Sequence, residues 1–394
     1  NGGDLRIGGA VLGTANLNGG GELIPDAGVG GLARSIINSL VVDSALLRGL
    51  APNGTVDGAG NMNASPTLID GQRVAVYSFS IDSIQSLGTF IESNKHRPWY
   101  VLWLFAGLIL IATVTFSFIY FKGDVTYQRL LDSNGNTAYP HPEQFSYFQV
   151  IAPVVLLILT RLRMPVSTTF LLLSVFSASS MGVTSIINKS ITAYLLAFVL
   201  SFTIWFFGYN TIRKYFKKRK AHPAWPVIQW LISGALWSVW LMQDGANIAV
   251  FLPRILTFTQ FLIFTGTIFL GLGLLFYLRG DKIQEVVSEK IRIADVRAAT
   301  LVDFTYVLLL IYKLLDSTVP LSTTWVFLGV IGGREIAINI ARRKKGSKHK
   351  RKALKLIGRD LLYATIGLIV SVALAAGANP GIRKDVIDFL TGNF

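Results

Sequence analysis

The chain has 394 residues, of which 52% are apolar and 15% charged, with a net charge of +15 and a mean hydropathy of +0.51. A soluble domain carries about a quarter charged residues, so this composition excludes one and points to a polytopic α-helical membrane protein. Much of the positive charge sits beside apolar segments, in Arg213–Lys220, Arg279–Arg297 and Arg342–Lys355. That placement orients helices by the positive-inside rule and does not mark a nucleic-acid surface.

Residues 1–95 read as a polar, Gly/Asn-rich extension. The chain begins at Asn1 without an initiator Met or a signal-like stretch, so the expectation is a start that was trimmed or lies upstream. Asn1–Gly31 reads as loop, Leu32–Leu50 as a surface or interfacial helix, Ala51–Pro66 as turns, and Arg73–Ile81 as strand-like. Trp99–Phe121 is the first segment long enough to span about 30 Å of hydrocarbon. After a polar loop, Lys122–Gln144, an apolar run of half that length (Phe145–Thr160) breaks at Arg161–Pro165 and resumes through Phe170–Phe176. Ile191–Gly208, Val227–Met242 and Ile255–Leu278 span. Leu301–Leu315 is again half-length, breaks at Asp316–Pro320 and resumes through Trp325–Gly333; a last span covers Leu361–Ala378.

Both breaks carry the same words. Met164-Pro165-Val166-Ser167-Thr168-Thr169 returns as Val319-Pro320-Leu321-Ser322-Thr323-Thr324, 155 residues later. Proline starts helices rather than continuing them, and Ser or Thr just after it can satisfy the free amides of the new helix. With the basic clusters inside, each broken pair returns to the side from which it started, and the two pairs start from opposite sides. This predicts two inverted repeats, each with a re-entrant Pro-hydroxyl helical hairpin. The same shift superposes Trp99–Phe121 on Ile255–Leu278. The division is 1–95 as extension, 96–208 as first repeat, 209–224 as basic cytoplasmic linker, 225–378 as second repeat and 379–394 as C-terminal tail.

Two hydroxyl-bearing helix starts inside a membrane make a plausible anion site, and the structural alternative is a helix cap used twice. Arg161 and Arg163, costly at membrane depth, either attract the anion or pair with Asp316, Asp303 or a carbonyl. Asp244 is either a hard oxygen ligand for a small cation, with Asn247, or the N-cap of the next segment. Asp316 is equally open. Arg254 reads as an interfacial anchor, and Gly332-Gly333 as a helix-packing site. The absence of cysteine excludes disulfides, thiolate metal sites and Cys nucleophiles. His96, His141, His222 and His349 lie outside the apolar windows, which argues against a buried haem or metal. There is no P-loop, His-Glu-x-x-His or Ser/His/Asp grouping, so an enzyme is not expected.

Pro-Val/Leu-Ser-Thr-Thr said twice, with Gly245-Ala246-Asn247 between, resembles the inorganic phosphate transporter family. The likeness covers about residues 99–378. It implies a secondary active transporter that moves phosphate or a similar oxyanion by alternating access, coupled to sodium or protons, in a bacterial-type plasma membrane. It implies Ser167, Thr168, Thr169, Ser322, Thr323, Thr324, Gly245 and Asn247 at the substrate, to which Arg161 is added from the residues themselves. Asp244 with Asn247 is the candidate sodium pair. The chain departs from the family at Ile248, which replaces an Asp, and at Phe170 and Trp325, which replace His. The alternative function is a transport-inactive relative serving as a membrane subunit or scaffold. Expected partners are the oxyanion and the bilayer, with no nucleic acid, and a homo-oligomer or membrane complex stays open.

Overall fold

The computed structural model describes residues 2–7, 10–17, 23–25, 86–131, 138–142, 145–162, 164, 166–218, 221–277, 295–316, 320–341 and 347–392. The helices, in chain order, are α1 Trp99–Tyr120, α2 Tyr147–Arg161, α3 Ser180–Lys218, α4 Ala224–Ala249, α5 Phe258–Tyr277, α6 Val296–Asp316, α7 Thr323–Ala341, α8 Ser347–Ala378 and α9 Pro380–Thr391. Among the described residues seven of them, α1 and α3 to α8, are long and apolar enough to cross a membrane. The protein is a polytopic helical membrane protein.

Neither Pro-hydroxyl segment runs as one continuous helix. Helix α2 stops at Arg161 and helical backbone resumes at Thr168; α6 stops at Asp316 and α7 starts at Thr323. The two pairs differ in length from each other and from the sequence reading. The first is short: 15 residues of α2, then a π-helical turn at Thr169–Leu173 and a 3₁₀ turn at Ser174–Phe176. The second is not half-length, because α6 has 21 residues and α7 has 19, each about 30 Å as helix. The apolar windows missed this because they stop short of Arg297 at the start of α6 and of Arg334 within α7, and both side chains are buried. A pair that crosses twice returns to its starting side just as a hairpin does, so counting sides does not separate the two.

Helix α7 is the innermost, with 67% of its apolar window buried against 22% for α3 and for α8. It lies along α3 at very close range. A Cβ on Gly329 would stand 2.5 Å from the Tyr194 carbonyl oxygen, and one on Gly333 closer still to that of Phe198. Small residues are what let two membrane helices approach so tightly. Helix α4 packs along α6, α1 packs on α4 and α5, and α8 covers both the π/3₁₀ segment and α7. The contacts α3–α7, α3–α6 and α6–α7 have counterparts in α8 with the π/3₁₀ segment, α8–α2 and α2 with the π/3₁₀ segment.

The body begins earlier than residue 96. Residues 86–93 are helical, with Leu87, Phe90 and Ile91 in the core. Thr89 Oγ1 and Ser233 Oγ each donate to the Asp303 carboxylate at 2.6 Å. Asn94 donates to Gln229 at 3.0 Å and accepts from the Trp230 indole at 3.0 Å, and Gln229 donates to Ser93. Among the described residues Asp303 is thus held by hydroxyls, and this seam ties 86–94 to α4 and α6.

The loop reading of Asn1–Gly31 is corrected by three strands. They are β1 Gly2–Ile7, β2 Ala10–Leu17 and β3 Leu23–Pro25, antiparallel in the order β1-β2-β3. Ile7 pairs with Ala10 across the two residues Gly8-Gly9, a hairpin signature that glycine content obscured. The expectations for Leu32–Leu50, Ala51–Pro66 and Arg73–Ile81 lie outside the described residues. The C-terminal tail is helical in α9, where Asn379 caps by accepting from Gly381 N at 2.8 Å and Pro380 fills the first position.

Candidate functional site

The two Pro-hydroxyl segments meet and bind each other reciprocally. Thr169 Oγ1 donates to the Leu321 carbonyl at 3.3 Å, and Thr324 Oγ1 donates to the Val166 carbonyl at 3.3 Å. Both donors and both acceptors are 155 residues apart, so each triplet's last hydroxyl holds the residue after the other copy's proline. The serines act locally and alike: Ser167 Oγ accepts from Phe170 N at 3.1 Å, and Ser322 Oγ from Trp325 N at 3.3 Å. These are N-cap bonds, as the residue order suggested. Ser322 N also donates to Ser190 Oγ of α3 at 2.8 Å, and the Thr323 carbonyl accepts from the Tyr306 hydroxyl at 2.9 Å. All six hydroxyl residues are buried. Phe170 and Trp325, where the resemblance puts histidine, stack edge to face with ring centroids 5.7 Å apart.

Helix α4 brings its Gly-Ala-Asn stretch to the first triplet. Asp244 Oδ1 accepts from the Thr169 hydroxyl at 3.2 Å and from the Asn247 amide at 2.9 Å; that amide also reaches Thr169 Oγ1 at 3.2 Å. Asp244 and Asn247 lie three apart on one helix face, which is why the two side chains meet. Asp244 sits inside α4 and is not a helix cap. Gly245 borders the carbonyl of Val125, 3.7 Å from where its Cβ would be. Gln243, next in line, is fully buried, and neither amide atom has a hydrogen-bond partner among the described residues. The structure brings together Ser167, Thr169, Ser322, Thr324, Asp244 and Asn247, with Thr168 and Thr323 inside the same two segments. The side chains of Arg161 and Asp316 lie outside the described residues.

A residue that the sequence reading passed over is buried nearby, in the α1–α2 connection. Arg129 is 3% exposed; its Nη2 donates to the Leu314 carbonyl near the end of α6 at 3.2 Å, and the Asp244 charge acts on it. Burial pulls the guanidinium down to about 10, and the nearby carboxylate only partly offsets that loss. The loop that aims it inward is tightly built. Asp124 accepts from Thr126 N at 2.6 Å, Thr126 Oγ1 at 2.7 Å and Gln128 N at 2.8 Å, and the Tyr127 hydroxyl donates to the Thr113 carbonyl at 2.6 Å. Tyr127 and Gln128 hold positive φ of 55° and 59°, a conformation that non-glycine residues rarely take. The Asp124-Val125-Thr126 turn pattern was the available signal, hidden in a stretch that reads as polar loop. Arg254, expected as an interfacial anchor, clamps carbonyls, donating to Tyr139 at 2.6 Å and to Leu252 at 2.7 Å.

Fold and site together define a class: a polytopic helical membrane protein with a buried polar centre where two like-sequence breaks meet. Comparisons with family profiles, with characterised proteins and with solved structures find no match for this chain. Among the described residues no group of three or more His, Cys, Asp or Glu side chains could hold a metal ion.

Proposed function

We propose that the protein is a secondary active transporter of inorganic phosphate or a similar oxyanion in a bacterial-type plasma membrane. It would work by alternating access between two inverted repeats, without enzymatic chemistry. The observation that carries this reading is the reciprocal pair of bonds between the two triplets, set where the Asn247 amide of α4 also arrives. Six hydroxyls, helix-start amides and the Asn247 amide are donors of the kind an anion needs. The bonds that now occupy Thr169 and Thr324 are 3.2–3.3 Å, long for a hydroxyl donor, so an oxyanion can compete for them. The paired contacts of α3 with α7 and of α8 with the π/3₁₀ segment fit a repeat in which the halves rock about the site. The resemblance adds coupling to sodium or a proton, for which Asp244 and Asn247 are the candidate pair.

The same bonds favour a second reading. If the hydroxyls serve only to cap and staple the two breaks, the chain is a transport-inactive membrane subunit or scaffold. Thr168→Val and Thr323→Val separate the two, because valine keeps the shape and removes a donor. A transporter loses roughly ten- to a hundredfold in phosphate affinity per variant, the worth of a hydrogen bond to a charged group. Phosphate titration by calorimetry and thermal melting of wild type and both variants make the measurement. If millimolar phosphate leaves wild-type melting unchanged and the variants only melt lower, the scaffold reading replaces the transporter.

A further inference from the structure

The resemblance implies a coupling cation at the anion site, and the residues present do not suit one. Small hard cations take about six oxygen ligands. Asp244 is the only carboxylate placed among the described residues of the cluster. Its Oδ1 is already engaged by the Thr169 hydroxyl and the Asn247 amide, both acting as donors, and a buried guanidinium stands close enough to feel its charge. Hydroxyl donor, amide donor and guanidinium form the set that would hold an oxyanion, gathered here around a carboxylate.

We propose that Arg129 is the fixed positive charge of the anion site, and that Asp244 is a resident anion which the substrate displaces. This rests on the oxyanion reading above and narrows it: the charge that a sodium ion would bring is supplied by the protein. In the closed arrangement the Asp244 carboxylate occupies the donors. When the two breaks part, a phosphate oxygen takes the Thr169 hydroxyl, the Asn247 amide and the field of Arg129. The geometry of the loop supports a functional placement for Arg129. Two consecutive left-handed residues and a threefold-bonded Asp124 are a costly way to bury an arginine, and strain of this kind concentrates at working sites. A guanidinium also suits the task because it keeps its charge when desolvated and binds oxyanions through several donors at once.

The test is inorganic phosphate binding by calorimetry on purified full-length protein, in sodium chloride and in choline chloride at equal ionic strength. Wild type is expected to bind equally, within about twofold, in both salts. Arg129→Gln is expected to lose at least about tenfold in both, and Arg129→Lys to keep most of the affinity. Asp244→Asn is expected to bind about three- to tenfold more tightly, because the competing carboxylate is gone while Arg129 remains. Were Asp244 a cation ligand, the same change would weaken binding and abolish any sodium effect. Binding that needs sodium, unchanged affinity in Arg129→Gln, or weaker affinity in Asp244→Asn each overturns the proposal while leaving the oxyanion reading in place. No phosphate binding by wild type in either salt sinks the oxyanion reading itself. If Arg129→Gln does not fold, the Asp244→Asn result and the wild-type salt comparison decide.

Discussion

The two Pro-hydroxyl segments begin alike and continue differently. Each serine caps the backbone three residues on, and each last threonine crosses to the other copy. Beyond that point the first copy makes a five-residue π turn and a three-residue 3₁₀ turn, then breaks before Ser180, whereas the second runs 19 residues as α-helix. The cause lies downstream of the motif. The second copy carries Gly329 and Gly333 on the face that meets α3, so two backbones can lie almost in contact over several turns. At the matching positions the first copy has Ser174 and Ala178, and between motif and break it places Leu171, Leu172, Leu173 and Phe176, all buried. There the glycine has moved to the covering helix: a Cβ on Gly367 of α8 would stand 3.0 Å from Val166. A six-residue motif therefore sets how a helix starts, and the size of the residues after it decides how far that helix extends.

The largest effect should come from removing the glycine that distinguishes the copies. Gly333→Val drives a side chain into the Phe198 carbonyl and should cost about 3 kcal/mol or destroy folding, as overpacking at a rigid contact does. The matching change in the first copy, Ala178→Val, is at an exposed residue and should stay within about 0.5 kcal/mol. Thermal melting followed by fluorescence-detected size exclusion reads both. Equal effects would mean that the copies are packed alike and that the explanation above is wrong.

A medium effect should separate the two crossing hydroxyls. Thr324→Val removes one bond to the Val166 carbonyl, worth about 1 kcal/mol. Thr169→Val removes a hydroxyl whose one proton is shared between the Leu321 carbonyl and buried Asp244 and whose oxygen accepts from Asn247, so its cost should reach about 2–3 kcal/mol. Chemical denaturation of the two single variants and the double variant gives the numbers. If Thr324→Val proves the costlier, the polar centre is not anchored on the first copy as described.

The smallest effect concerns His141, which packs edge to face on Phe145 at 5.6 Å beside the first pair. Burial and then the neighbouring Arg254 charge hold its imidazole below the ordinary histidine value, so the folded protein favours the neutral ring. Stability from this group is complete above the unfolded value of roughly 6.5 and is lost as pH falls from there through the folded value. Wild type should melt slightly lower at pH 5.5 than at pH 7.5, and His141→Gln should flatten that step. A variant with the same pH slope as wild type would assign the slope elsewhere.

The sequence alone determined where the chain is apolar enough to span, where it breaks, and that both breaks restart with a serine cap. Those features depend on neighbours within a few residues: proline's missing amide proton, a hydroxyl three residues from a free amide, and an unbroken apolar window. It also placed Asp244 beside Asn247, because helical spacing puts residues three apart on one face. What it could not determine depends on partners far along the chain. Asp303 is settled by Thr89, 214 residues away, and this draws 86–94 into a body whose start was placed at 96. The full length of α6 and α7 was hidden because Arg297 and Arg334 read as the ends of apolar runs until burial gave them surroundings. Arg129 read as one charge in a polar loop; only the fold of that loop against α6 and α4 buries it within range of the Asp244 charge. Local hydrogen bonding and hydropathy act over one or two helical turns, whereas a buried polar group must be satisfied by whatever the whole chain folds against it, and tertiary structure alone makes that choice.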